Sequence, residues 1–271
     1  MTDTLVKSNK GQAHQRRSQI LVRLKTHETI TTADLAREYG VSIATITRDL
    51  NELEAEGMIL RVHGGATRIR DGEFERPFST REILNLEEKR QIAACALDFV
   101  QEGDSLILDV GTTVFEFARL LKKKTNITVI ATSLTVAQEL ASQPGIQLII
   151  VGGKFRRSEY SMIGHLAEMN LRNFSVDKAF LSAAGISVEQ GVTEYSYDQA
   201  GLKKVIVEQA KKRVLLADHT KFEKSRLALV TPLSNIDTII SDPGLDHRVA
   251  EKYRLMGLTV AIAGGPVQPD V

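Results

Sequence analysis

The sequence contains almost no cysteine and no long apolar run. Cys95 is the single cysteine among 271 residues, which excludes a disulfide framework or a cysteine-based zinc cluster within one chain. Its place in an apolar helical pattern favours a small buried side chain. No apolar stretch approaches the roughly 18 residues of a membrane span, and the first 17 residues lack the apolar core of a secretory signal. We therefore expect a cytoplasmic protein without a membrane partner.

Motifs that mark common cofactor and metal sites are also missing. No G-x-G-x-x-G follows a strand pattern and no G-x-x-x-x-G-K-[ST] occurs, which argues against a dinucleotide-dependent oxidoreductase and against P-loop nucleotide binding. The chain has no H-E-x-x-H, and its six histidines are scattered. We expect no metal site and no cofactor.

The net charge of +1 conceals a modest asymmetry along the chain. Residues 1–70 carry a balance of +3, and residues 71–271 carry −2. Between Lys10 and Arg48, seven basic residues are set against three acidic ones. A cationic first segment on a slightly acidic body favours a contact with nucleic acid near the N-terminus.

Three helical patterns follow one another near the N-terminus. The first fits residues 16–27, with apolar side chains on one face. The second lies between a capping pattern formed by Thr31 and Asp34 and a terminating Gly40. Ser42 is a suitable N-cap for the third helix, which is predicted over 42–56. Apolar residues recur there at helical spacing and are expected to face the core: Ile43, Ile46, Leu50 and Leu53.

A hairpin is predicted directly after the third helix. Two short apolar runs, Ile59–Val62 and Ala66–Ile69, are separated by Gly64 and Gly65, a pair favoured in two-residue turns. Three helices and a hairpin in this order predict a winged helix-turn-helix.

The third helix carries small, polar and cationic side chains away from its apolar face. The N-terminal half of a recognition helix approaches base edges in the major groove. Arginine can read guanine with two hydrogen bonds, threonine can offer a hydroxyl or a methyl group, and cations in the hairpin can bind phosphates. A dimerisation domain with solvated charges is the alternative. We predict contacts with double-stranded operator DNA from Ser42, Ala44, Thr45, Thr47, Arg48, Arg61, His63 and Arg68.

From about residue 85, apolar runs of strand length alternate with helical patterns. The runs are SLILDV, ITVIA, QLIIV, DKAFLSA, RVLLAD, DTIIS and LTVAIA. Such runs, separated by helices, indicate a mainly parallel sheet covered on both faces, so the fold class is α/β. The predicted organisation is a disordered tail over 1–12, a winged helix-turn-helix domain over 13–70, a linker over 71–84, a larger α/β domain over 85–265 and a tail over 266–271.

Polar, glycine-containing turns follow several of these strands. Open α/β sheets bind ligands beyond the carboxyl ends of their strands. Gly111, Thr112 and Thr113 open a helix whose N-terminus can attract phosphate, although a capped turn without a ligand is the alternative. Hydroxyls, glycines and cations in such turns suit a small phosphorylated, polyhydroxylated ligand.

Several segments together resemble the DeoR family of bacterial transcription regulators. The matching segments are RRSQIL, ADLAREYGVSIATITRDLNELEAEGMILRVHGGA, LDVGTT, IVGGKFRR and LLADHTKF. The resemblance implies a repressor of a carbohydrate-utilisation operon, whose C-terminal domain is similar in fold to ribose-5-phosphate isomerase and senses a sugar phosphate. It also implies that the effector pocket is lined by Asp109, Gly111, Thr112, Thr113, Thr132, Gly152, Gly153, Arg156 and Lys221.

The chain departs from the family pattern at two places. The family commonly has T-I-R-R-D-L, whereas Thr47 here replaces the first arginine, so a different operator sequence or affinity is expected. Where isomerases of similar fold keep a general base, this chain has Asp198 and Gln199, with Glu194 in place of a threonine. Because aspartate is one methylene shorter than glutamate, we expect binding without turnover. An isomerase-like enzyme with a DNA-binding extension is the alternative, with Asp109, Glu194, Asp198 and Asp218 as candidate carboxylates.

Operator binding also predicts an assembly of several chains. Two operator half-sites need two recognition helices. Closed symmetric oligomers are the usual way to provide them. We therefore expect a homodimer or a homotetramer.

Overall fold

The computed structural model describes residues 13, 15–24, 26–55, 58–68 and 75–265, except for the side chains of Ala55 and Arg68. The predicted disordered tails and the predicted linker's residues 71–74 lie outside the described residues. No helix in the described part of the chain is long and apolar enough to cross a membrane.

Three helices and a three-stranded sheet form the first compact unit, Met1–Thr80. Helix α1 covers residues 15–24. Of the three side chains predicted to share its apolar face, Ile20 and Leu24 are buried and Leu21 is partly buried. The remaining elements are β1 (Thr29–Thr31), α2 (Thr32–Tyr39), α3 (Ile43–Ala55), β2 (Ile59–Val62) and β3 (Gly65–Arg68). The sheet has the antiparallel order β1-β3-β2.

The predicted helix caps are confirmed. The Thr31 side chain accepts a hydrogen bond from the backbone N–H of Asp34, and Gly40 ends α2 in the left-handed conformation. The Ser42 Oγ accepts the backbone N–H of Thr45 at 3.2 Å. These caps fix the short turn between α2 and α3.

The core of this unit confirms most of the predicted apolar face of α3. Ile46, Leu50 and Leu53 are at most 1% exposed. The prediction for Ile43 was wrong, because its side chain is 60% exposed. Ile43 is the first residue of α3, and the packed core begins one turn later.

The predicted turn of the hairpin is displaced by one residue. Gly65 already pairs with Val62, so the two turn residues are His63 and Gly64 rather than the two glycines. The sequence pattern gave no sign of β1, which pairs with β3 on the other side. A Cβ added at Gly65 would lie 2.0 Å from the carbonyl oxygen of Ile30, so glycine is needed there for close strand approach rather than for the turn.

A seven-stranded sheet forms the centre of the second compact unit, Arg81–Val271. Each of the seven predicted strands is present, and every pairing in the sheet is parallel. The strands are β4 (Ser105–Leu108), β5 (Ile127–Ala131), β6 (Ile146–Ile150), β9 (Val176–Leu181), β12 (Ala210–Leu216), β14 (Thr238–Ser241) and β15 (Thr259–Ile262). Their order in the sheet is β15-β14-β12-β9-β4-β5-β6.

Helices cover both faces of this sheet, as predicted. Leu106 and Leu108 pack into one apolar cluster and Ile107 into the other, because successive strand residues point to opposite faces. The helices are α5 (Leu86–Leu97), α6 (Thr112–Leu121), α7 (Leu134–Leu140), α8 (His165–Leu171), α9 (Tyr197–Gln209) and α10 (His247–Leu255). Helices α5 to α7 contribute to the first cluster and α8 to α10 to the second. Cys95 is buried on α5.

Several short elements were not predicted from the sequence. A six-residue helix, α4 (Phe78–Ile83), lies within the predicted linker. Strands of three or four residues are too short for their apolar pattern to stand out from neighbouring turns. They form a two-stranded hairpin and a separate three-stranded sheet: β7 (Lys154–Arg156), β8 (Ser161–Ile163), β10 (Gly185–Ser187), β11 (Gly191–Glu194) and β13 (Ala228–Thr231).

The strand order creates a switch point at the middle of the large sheet. The chain starts at β4, moves outward through β5 and β6, returns to β9 beside β4, and then moves outward on the other side. Ligands bind at such a point in open α/β sheets, beyond the strands' carboxyl ends. The loops after β4 and β9 are therefore the first place to look for a site.

Replacing Gly65 with alanine is expected to break the pairing of β1 with β3, because the new Cβ would meet backbone rather than a flexible side chain. Hydrogen exchange of the amides in both strands measures this. Gly64→Ala is the matched control: its surroundings are open within 4 Å, so only the backbone strain of about 1–2 kcal/mol applies. Equal exchange rates in the two variants would contradict the assignment.

Candidate functional site

The N-terminal half of α3 presents a continuous exposed surface. Ser42, Ala44 and Arg48 are exposed, and Thr45 and Thr47 are partly exposed. Ile43, which the helical pattern assigned to the core, belongs to this surface and adds an apolar group of the kind that contacts a thymine methyl.

A buried ion pair fixes the rotation of α3. Asp49 is 3% exposed, and its two carboxylate oxygens lie 2.5 and 3.2 Å from guanidinium nitrogens of Arg16 on α1. Arg17 and Glu52 form a further ion pair between the same helices. Because Asp49 points inward to Arg16, the adjacent Arg48 is directed to solvent.

The hairpin residues predicted to bind DNA have different surroundings. Arg61 on β2 donates from its guanidinium to the Asn51 Oδ1 at 2.9 Å, which ties the hairpin to α3. His63 is exposed in the turn. Arg68 lies on β3, and its side chain is outside the described part of the chain.

In the larger unit, buried charged groups meet at the switch point of the sheet. Asp109 follows β4 and is fully buried. Its Oδ2 accepts the backbone N–H of Ser182, which follows β9, at 3.0 Å. The ammonium of Lys203 on α9 lies 2.8 Å from the same Oδ2 and 2.6 Å from the Glu194 Oε1. One cation thus joins two buried carboxylates.

The charge states of this triad follow from its surroundings. Burial alone would lower the pKa of Lys203, but the charges of Asp109 and Glu194 outweigh it and raise that pKa above its ordinary value. Burial raises the pKa of Asp109, the charge of Lys203 opposes that shift, and the charge of Glu194 adds to it. The Asp109 Oδ1 is buried and has no hydrogen-bond partner among the described residues.

The other predicted residues after β4 and β5 gather beside this triad. Gly111 has a φ of 147°, and a Cβ there would lie 2.6 Å from the Ser182 Oγ. Helix α6 begins at Thr112, and both Thr112 and Thr113 are largely buried. Thr132 donates its hydroxyl to the carbonyl of Leu108 at 3.2 Å. The structure brings these residues to one edge of the sheet.

The remaining predicted residues lie at later strand ends. Gly152 is exposed. A Cβ at Gly153 would lie 2.9 Å from the Ala167 Cβ, so close packing against Ala167 explains the glycine at this position. Arg156 on β7 donates to the Ser158 hydroxyl. Burial lowers the pKa of Lys221, and the charge of Glu194 opposes that shift, which places Lys221 within electrostatic reach of the triad.

Sequence reasoning missed further charged residues near these loops. Arg81 at the end of α4 pairs with the buried Glu159. The Lys89 ammonium donates to the carbonyls of Arg81 and Leu84. Burial lowers the pKa of Lys89 to about 8, and the cations Lys221 and Arg81 add to the shift while Asp218 opposes it. No sequence motif distinguished these residues, because a single charged residue in a helix or a turn is normally expected to face solvent.

The geometry reduces the set of candidate catalytic carboxylates. Asp198, in the position expected for an isomerase base, is exposed in the first turn of α9, where a negative charge suits the helix dipole. Glu194 is buried and paired with Lys203. The described residues contain no group of three or more His, Cys, Asp or Glu side chains arranged to hold a metal ion.

A winged helix-turn-helix and a separate α/β unit with buried polar groups at its strand ends define a ligand-sensing transcription regulator. The DeoR-like helix-turn-helix domain model matches residues 16–71, and the DeoR C-terminal sensor domain model matches residues 84–243. The chain belongs to the DeoR family of transcription regulators.

Relatives over most of the chain are named as transcription regulators. The HTH-type transcriptional regulator GolR of Listeria innocua is 35% identical, over 92% of this chain and 98% of its own. Transcriptional repressor AccR of Agrobacterium fabrum is 33% identical, over 88% and 94%. The glycerol-3-phosphate regulon repressor of Escherichia coli is 29% identical, over 84% and 90%. These relatives support a regulator rather than the alternative enzyme.

A partial likeness to a sugar-phosphate enzyme also exists at the level of structure. Ribose 5-phosphate isomerase A from Methanocaldococcus jannaschii aligns with 51% of this chain and 55% of its own, at 20% identity and a TM-score of 0.39. A TM-score this low gives no correspondence between individual site residues.

Replacing Lys203 with methionine is expected to destabilise the larger unit by about 3–5 kcal/mol, because two buried carboxylates lose their shared cation. Urea unfolding followed by far-UV circular dichroism measures this. Lys211→Met is the matched control, since Lys211 pairs with Asp177 at the exposed surface and its loss should leave the midpoint near that of the wild type. A midpoint for Lys203→Met equal to that of the control would show that the triad does not support the fold.

Proposed function

We propose that this chain represses a carbohydrate-utilisation operon and that a sugar phosphate, bound at the strand-end loops of the larger unit, controls its affinity for the operator. The observation that carries the proposal is the buried Asp109, whose Oδ1 has no partner among the described residues. It stands next to the first turn of α6, so an acceptor for a hydroxyl and a donor set for a phosphate lie side by side.

The chemistry of the loops supports a phosphorylated polyol. The first N–H groups of α6 have no partners within the helix, and a helix N-terminus attracts an anion. The hydroxyls of Thr112 and Thr113 lie in the same turn, and Lys221 adds a positive charge near Glu194. Asp109 and Glu194 can accept hydrogen bonds from sugar hydroxyls. Gly152, Gly153, Arg156 and Thr132 would complete the proposed pocket.

The names of relatives agree with this ligand class. The glycerol-3-phosphate regulon repressor is named for a phosphorylated polyol, and relatives at comparable identity are transcription regulators. Which sugar phosphate this chain binds depends on the pocket's own residues.

We also propose that double-stranded operator DNA is read by the exposed half of α3 and by the hairpin. Arg48 and the Thr45 and Thr47 hydroxyls would contact base edges, with Ser42 and Ala44 at the start of the helix. His63 and Arg68 would contact the backbone, while Arg61 supports the hairpin through Asn51. A homodimer or homotetramer would supply one α3 to each half-site.

Arg48→Ala is expected to weaken specific operator binding by about 1–3 kcal/mol, because a base-reading guanidinium is removed. Fluorescence anisotropy on a duplex selected by the full-length protein measures this. Arg48→Lys is the matched control: it keeps the charge but loses the two-pronged hydrogen bond. If Arg48→Lys kept full affinity and sequence preference, Arg48 would contact a phosphate, and the proposed base-reading role would be wrong.

Thr112→Val together with Thr113→Val is expected to abolish the ligand response while leaving operator affinity within about twofold, because the two hydroxyls serve the ligand alone. A thermal-shift screen of sugar, amino-sugar and alditol phosphates first finds the ligand, since a ligand that binds the folded state raises the midpoint. Thr125→Val makes the same change in an exposed loop just before β5, at the other end of the sheet. An unaltered response in the double variant would place the ligand elsewhere.

A further inference from the structure

The ion pair of Arg81 and Glu159 joins two elements beside the proposed effector site. Arg81 is in the last turn of α4, and the larger compact unit begins at this residue. Glu159 lies in the turn between β7 and β8 and is 1% exposed. Its Oε2 pairs with Arg81, whereas its Oε1 has no partner among the described residues. A buried carboxylate therefore binds the last turn of α4, where the larger compact unit begins.

The β7–β8 hairpin runs alongside one of the proposed effector loops. The backbone N–H of Leu134 donates to the carbonyl of Tyr160 at 2.8 Å, and that of Met162 donates to the carbonyl of Thr132 at 2.9 Å. Glu159 is next to Tyr160 in the chain. The turn that carries Glu159 therefore lies at the edge of the proposed pocket.

Three cations gather where α4, α5 and the loop after β12 meet. The ammonium of Lys89 donates to the carbonyl of Arg81. Asn85 donates to the Asp218 Oδ1 at 3.4 Å, which brings the start of α5 to the loop that carries Lys221. Burial lowers the pKa of both lysines, and the charge of Arg81 adds to each shift. Like charges held this close favour an added anion.

We propose that the phosphate of the effector takes the place of the Glu159 carboxylate as the partner of Arg81, shared with Lys89 and Lys221, and that effector binding thereby releases α4 from the β7–β8 hairpin. This inference rests on the proposed function, because it assumes a phosphorylated ligand at the same strand-end loops.

The exchange is chemically balanced because one anion replaces another on the same cation. A guanidinium binds phosphate, like carboxylate, through two parallel hydrogen bonds. Burial raises the pKa of Glu159, so its carboxyl can take a proton from solvent once Arg81 has left. The ligand binds the released state better than the anchored one, which is the differential affinity that any ligand-driven switch requires.

Hydrogen exchange on the wild-type full-length protein tests the release of α4. Inorganic phosphate is the probe, with sodium chloride at equal ionic strength as the control. We expect the amides of α4 to exchange about fivefold faster with phosphate, while those in the first turn of α6 exchange more slowly. Slower or unchanged exchange in α4, together with protection in α6, would overturn the proposal.

Two variants test the competition between the anions by titration calorimetry with inorganic phosphate. Glu159→Gln should bind phosphate about fivefold more tightly, because the internal competitor loses its charge. Arg81→Gln should bind it at least about tenfold more weakly. Glu208→Gln makes the same change as Glu159→Gln in an exposed pair with Arg172, and should match the wild type. If Glu159→Gln does not fold, Arg81→Gln and the hydrogen-exchange experiment on the wild-type protein still test the proposal.

The outcomes separate this inference from the function on which it rests. Wild-type affinity for phosphate in Arg81→Gln, or in a folded Glu159→Gln, would overturn the exchange of partners. Absence of phosphate binding to the wild type would also overturn it. In each case, a sugar phosphate that still raised the thermal midpoint through Thr112 and Thr113 would leave the proposed function standing.

Discussion

The buried ammonium of Lys203 is the interaction on which the larger unit's site depends. It lies between Asp109, which follows β4, and Glu194, which ends β11, and it also donates to the carbonyl of Ser182 after β9. Two carboxylates could not be held in this apolar setting without a compensating cation. Because Lys203 belongs to α9, one side chain joins a helix, two strands of the parallel sheet and a strand of the smaller sheet. The position of the α6 N-terminus follows from that junction.

The smaller unit also contains a buried ion pair, which there sets the orientation of a helix. Asp49 is buried against Arg16, and this pair fixes which side of α3 faces the core. In both units a buried charge has an internal partner. Beside it, Arg48 is exposed on α3, and the Asp109 Oδ1 at the switch point has no hydrogen-bond partner among the described residues. A buried ion pair therefore lies next to a group that is predicted to take part in recognition.

The sequence alone predicted the elements that depend on local pattern. The seven parallel strands were found because each is a continuous apolar run, and the caps Thr31, Gly40 and Ser42 because their chemistry is local. Gly65 was assigned to the turn because only its contact with the β1 backbone reveals its role. Lys203 could not be found, since a lysine on a helix looks solvated until its distant partner Asp109 is known. The DNA-contact and effector residues remain predictions until they are tested.

The strand order determines when the residues of the larger unit's strand-end loops can come together during synthesis. Asp109 meets Ser182 across 73 residues of sequence, and the site also draws on Lys203 and Lys221. The DNA-reading unit is complete long before these residues leave the ribosome, and domains tend to fold in order from the N-terminus. Each new chain therefore passes through a stage in which the winged helix-turn-helix can already be folded while the strand-end loops of the larger unit are still incomplete. Those loops are complete only after α9 and the loop after β12 have emerged and folded.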